Sequence, residues 1–112
     1  MTQVTFDPIK IGEARRYRFT VASTSLDLTT VTSFVFQVRE QYDTNPVITE
    51  TVLAVNFESV SSNQLIAVIM LNSSETDLLS ARNYIVGAEC RVTDERYPAI
   101  QGSLIVQSNP VS

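Results

Sequence analysis

The densest run of side chains able to do chemistry is Arg15-Arg16-Tyr17-Arg18. Three guanidiniums around one ring could grip phosphates and stack a base, as single-stranded nucleic-acid surfaces do. The spacing speaks against that use. Tyr17, Phe19 and Val21 alternate with Arg16, Arg18 and Thr20, so on a strand Tyr17 turns inward. Arg16 and Arg18 then share one exposed face. The net charge of −4 also argues against a nucleic-acid partner, which needs a basic stripe. Planar guanidiniums pair well with carboxylates at protein interfaces. Arg16 and Arg18 are therefore expected to form a docking strip for a neighbouring subunit, or else a plain solvated face.

Other chemistries fail on inventory. The chain has no histidine, one cysteine and three glycines. A serine nucleophile needs a base, and only Lys10 or a carboxylate is on offer. Lys10 sits beside Gly12 in a polar break, the setting of a solvated lysine. Zinc and other transition metals want histidine or cysteine clusters. Calcium wants several close oxygens, and Asp43-Thr44-Asn45 and Asp94-Glu95 are the candidates. Both fall where turns are expected, and turns favour Asp and Asn without any ion. Glu50, Glu58 and Glu89 could converge as an acid–base set only if the fold brought their strands together. The three glycines form no phosphate-cradling loop. The expectation is a protein that is not an enzyme, with no cofactor and no metal.

Those residues must be carried by one domain, residues 1–112, of a size able to bury a core without disulfides or metals. Hydrophobic residues make up 44% and charged residues 18%, which separates the chain from disordered sequences. Abundant Ser and Thr favour strands over helices. A lone cysteine forms no internal disulfide, and Cys90 falls in phase with Tyr84, Val86 and Val92 as a buried structural thiol. Met1-Thr2-Gln3-Val4-Thr5-Phe6-Asp7 lacks the basic start and apolar run of a secretion signal, so folding in the cytoplasm is expected. The triplet Asn72-Ser73-Ser74 is then a chance glycosylation match. No segment approaches the ~20 apolar residues that span a bilayer, and no membrane partner is expected.

Along the chain, Val4 and Phe6 mark a short first strand, and Pro8 and Gly12 bracket a break. Strands are predicted over 14–22 and 33–41, the latter with Phe34, Phe36 and Val38 inward. A polar connection between them holds Leu26 and Leu28 as anchors. After the turn at Tyr42-Asp43-Thr44-Asn45-Pro46, residues 47–54 and 55–60 read as one bent strand or a hairpin. Residues 64–71 are apolar on both faces, the pattern of a central strand. One helical turn is predicted near residues 74–79, with Ser74 and Asp77 as a capping box and Leu78 and Leu79 dropping onto the core. Strands over 83–93 and 101–108 follow, with residues 94–98 as a hairpin tip. The whole predicts an all-β sandwich of seven or eight antiparallel strands, with a closed barrel as the alternative.

The segments Leu26-Asp27-Leu28-Thr29-Thr30-Val31, Phe34-Val35-Phe36-Gln37-Val38-Arg39, Ser74-Glu75-Thr76-Asp77-Leu78-Leu79, Asn83-Tyr84 and Gln101-Gly102-Ser103-Leu104-Ile105-Val106 together carry a resemblance. The chain resembles an immunoglobulin-like module of tailed-phage virion proteins, similar to the amino-terminal domain of phage baseplate upper proteins. Thr30 stands where that pattern has glycine, and Ala81-Arg82 replaces the glycine before the tyrosine. Val86 stands where an acidic residue is common. The resemblance implies a mechanical part of the particle, made in the host cytoplasm and located in the virion. Its implied partners are copies of itself, as an oligomer, and major capsid or tail proteins. Capsid decoration or cementing is the first expectation, and a tail or baseplate adaptor the second. A receptor- or carbohydrate-binding module is the third; it would rest on Tyr42 and Tyr97 in loops, since the chain has no tryptophan.

Overall fold

The computed structural model describes residues 2–110. In chain order it contains β1 (Thr2–Thr5), β2 (Ile9–Lys10), β3 (Arg15–Ala22), β4 (Ser33–Arg39), β5 (Ile48–Leu53), β6 (Ser59–Val60), β7 (Gln64–Leu71), α1 (Ser73–Thr76), β8 (Asn83–Val92) and β9 (Glu95–Gln107). The larger sheet runs β1-β9-β8-β4-β5, with β2 also on β9. The smaller sheet runs β3-β7-β6. The two layers pack as an all-β sandwich with one short helical turn, as the alternation predicts.

Period-two patterning decides which face each strand buries. Phe34, Phe36 and Val38 of β4 are buried against Leu65, Ala67, Ile69 and Leu71 of β7 in one core cluster. Tyr84, Val86, Ala88 and Cys90 of β8 join them. On β3, Phe19 is buried while Arg16, Arg18 and Thr20 are exposed. Five aromatic rings sit at the centre. Phe6 meets Tyr17, Phe19 and Phe36 edge-on, with centroids 5.2, 6.0 and 6.4 Å away. Phe34 completes the group through Phe19 at 5.6 Å.

Several expectations are corrected. The sandwich is mixed rather than wholly antiparallel, because β1 and β2 run parallel to β9. The described residues form nine strands: Ile9–Lys10, inside the break expected between Pro8 and Gly12, pairs with β9 as β2, and Pro8, with no amide to donate, separates it from β1. Gly102 permits this pairing. A Cβ there would lie 1.9 Å from the Val4 carbonyl oxygen, so only glycine lets β1 approach. Residues 47–60 are neither one bent strand nor a hairpin. β5 ends at Leu53, a 3-10 turn over Ala54–Asn56 carries the chain across, and β6 joins the other layer. β7 is central in its sheet, yet its outer face stays open, with Ile66 and Val68 half-buried and Met70 exposed.

The helical turn also shifts. It covers Ser73–Thr76 rather than 74–79, and Asn72 caps it instead of Ser74. Asn72 Oδ1 accepts from the Glu75 amide at 2.9 Å, and Glu75 Oε1 accepts from the Asn72 amide at 3.1 Å. Ser74 already lies inside the turn and donates its hydroxyl to Asn72 Oδ1. Asp77 closes the helix rather than the box. Leu79 reaches the core, but Leu78 is 66% exposed. Tyr84 then anchors this corner, its hydroxyl accepting from the Ser80 amide at 2.8 Å in the manner of a tyrosine corner. The last hairpin tip is the pair Thr93-Asp94, and Tyr97 and Pro98 belong to β9. A register shift between Ala88 and Glu89 accommodates Pro98 in the ladder.

Because Phe36 touches three other rings in a fully buried setting, Phe36→Ala should destabilise by about 3–5 kcal/mol. Urea unfolding of the variant checks this. A loss below about 1 kcal/mol would show that the ring cluster does not join the sheets.

Candidate functional site

The site grows from the edge position of β3. All eight of its residues pair with β7, from Arg15 opposite Leu71 to Ala22 opposite Gln64. No strand pairs with its other side among the described residues. That side therefore presents a row of backbone donors and acceptors to solvent. Arg16 and Arg18 both stand on the outer face, where alternation places them. Arg18 Nε donates to Glu58 Oε2 at 2.6 Å, an exposed pair that contributes little to stability. Arg16 makes no ion pair among the described residues. Arg15 is drawn aside by Glu13, with Nε and Oε2 2.9 Å apart. That bond holds the Glu13 carboxyl below its ordinary pKa and raises that of Arg15.

Tyr17 turns inward between these arginines. Its hydroxyl is buried without a hydrogen-bond partner among the described residues, and burial raises its pKa. It lines a cleft of about 570 Å³ between the two layers, together with Phe6, Phe19, Val21, Leu26 and Ile100. The cleft exists because the first strands pair with β9 and leave β3 uncovered. Sequence reasoning missed it, since period two fixes which way a side chain faces but not which strand lies alongside.

The remaining candidates are scattered. Glu58 pairs with Arg18, Glu89 accepts from Arg91 at 2.8 Å, and Glu50 meets Glu75, so these three glutamates do not converge. Lys10 is exposed, and its backbone amide donates to Glu13. Asp43-Thr44-Asn45 forms a turn closed by Thr44, whose hydroxyl donates to the Gln41 carbonyl at 2.9 Å. No three His, Cys, Asp or Glu side chains gather among the described residues. No helix among them is long and apolar enough to cross a membrane. Cys90 is buried, and burial first, then Glu89, pushes its thiol up to about 11, so it stays protonated and unreactive. Tyr42 lies in a loop beside a shallow hollow with Gln101, whose amide donates to its hydroxyl. Tyr97 lies on β9 and lines the inter-sheet cleft, so the two tyrosines form no shared platform.

The Glu50–Glu75 contact makes a pH prediction. Two hydrogen-bonded carboxyls need one proton between them, and that bond, aided by burial and the neighbouring charge, raises Glu50 from 4.5 to about 7. A folded-state pKa above the unfolded one stabilises at low pH, and that contribution fades as pH rises through about 7. Glu50→Gln keeps a donor without the charge. It should raise the melting temperature at about pH 8 relative to the parent and leave it nearly unchanged at about pH 5. Parallel melting profiles across that range would show that the pair is not coupled. No protein-family model matches this chain, and no curated protein matches it in sequence.

Proposed function

We propose that this protein is a non-enzymatic assembly module of a bacteriophage virion, which decorates or cements the capsid through protein–protein contacts. The observation that carries this reading is the open β3 edge with Arg16 and Arg18 on its outer face. A rigid sandwich with a free strand edge offers backbone pairing to a neighbour without any special residue. The resemblance of residues 26–39 and 101–106 to phage immunoglobulin-like modules supports the same reading, as does the tyrosine corner at Tyr84. Its partners are copies of itself and the major capsid or tail proteins. The likeness to the amino-terminal domain of baseplate upper proteins favours a second reading, a tail or baseplate adaptor.

Quantitative mass spectrometry of purified particles separates these readings. A copy number comparable to the major shell protein means decoration or cement, and a handful per particle means tail or baseplate. Absence from particles overturns both. Arg16→Glu combined with Arg18→Glu should leave the fold intact, because both side chains are exposed, and should weaken incorporation into particles. Incorporation at the parent level by a folded double variant would remove the arginine face from the interface.

A further inference from the structure

We infer that the open edge of β3 is a receptor for one extended, acidic strand of another protein, which extends the smaller sheet and fills the cleft between the layers. This deepens the assembly proposal and rests on it, by naming the kind of partner that the edge accepts. Two independent features of one place converge here. The outer side of β3 has no strand beside it among the described residues, over a length of eight residues. Directly behind it lies the cleft of about 570 Å³, whose walls include Phe6, Phe19, Val21 and Ile100. A strand added to β3 would send every second side chain into that space and the others outward beside Arg16 and Arg18.

Charge selects the occupant. Cross-strand neighbours on one face of a sheet stabilise when opposite in charge and destabilise when alike. Residues set opposite Arg16, which makes no ion pair among the described residues, should therefore be Asp or Glu, and an acid opposite Arg18 would join Glu58 at that guanidinium. A second copy meets this poorly. Symmetric antiparallel pairing of two β3 edges centred on Tyr17 or on Arg18 sets arginine against arginine, pairing centred on Phe19 sets Arg16 against Ala22 and Arg18 against Thr20, and no register supplies an acid because β3 has none. The other long edge of the chain, β5, exposes Thr49, Thr51 and Leu53, which carry no acid. The strands β1 and β2 are only four and two residues long, and neither carries an acid. The fitting partner is a different chain, whose segment alternates apolar residues toward the cleft with acidic ones toward solvent.

The probe is a labelled peptide of about ten residues that alternates valine and glutamate, long enough to cover β3. Its counterpart alternates valine and lysine. Binding to the full chain is followed by fluorescence anisotropy, and hydrogen exchange maps the site. The glutamate peptide should bind and slow exchange of amides within residues 15–22, while the lysine peptide binds at least about tenfold more weakly. Arg16→Glu with Arg18→Glu should reverse that preference, and Arg16→Gln should weaken the glutamate peptide without reversing it. The inference is overturned if neither peptide binds, if both bind alike, or if protection falls on β5 or on the hollow beside Tyr42. Peptide binding is measured on the isolated protein, so failure here is distinct from absence of the protein from particles.

Discussion

Phe6 comes from the short segment between β1 and β2, and its ring stands edge-on to Tyr17, Phe19 and Phe36 from both layers. Each such aromatic contact adds on the order of 0.5–1.5 kcal/mol beyond the area that it buries. The placement holds only if the preceding backbone lies close along β9, which Gly102 allows. The ring and the glycine are thus one device. The glycine admits the backbone, and the backbone delivers the ring to the junction between sheets. What the segment does not do is cover β3, and the open cleft is the other side of the same arrangement.

The helical turn ties the larger sheet to the entry of β3. Thr76 is buried, and its hydroxyl donates to the Glu13 carbonyl at 2.9 Å, just ahead of β3. Glu75 meets Glu50 on β5 of the larger sheet. Gly12, at φ 81°, occupies a left-handed conformation beside the Asp77 carboxylate, where a Cβ would lie 2.7 Å from Oδ1. The helical turn and its cap Asp77 therefore touch the larger sheet and the turn that feeds β3. A carboxyl pair at this junction makes its tightness depend on protonation.

Side-chain direction was legible in the sequence almost throughout. Tyr17 and Phe19, Phe34 and Phe36, and Tyr84, Val86, Ala88 and Cys90 turn inward as their alternation requires, and Arg16 and Arg18 turn out. Strand partners were not legible, because alternation is the same for parallel and antiparallel neighbours. The capping residue was misplaced for a local reason. Asn72 and Ser74 are both good caps, and the choice falls to the position where β7 stops. The pairing of Arg18 with Glu58 and of Glu50 with Glu75 needed the crossing at Ala54–Asn56 and the corner after β7. Neither leaves a sequence pattern of its own. For the candidate site, the arginine face could be read from spacing, whereas the cleft behind it could not.

The parallel pairing of β1 with β9 has a mechanical consequence. The strands that enter and leave the domain lie side by side, Thr2–Thr5 along Ile100–Ser103 and Ile9–Lys10 along Val106–Gln107. Tension applied between the start of β1 and the end of β9 pulls these neighbours past one another lengthwise. Their hydrogen bonds are then loaded together in shear instead of opening one at a time like a zip. Under such a pull the patch slips as a unit, because no single bond can open ahead of its neighbours.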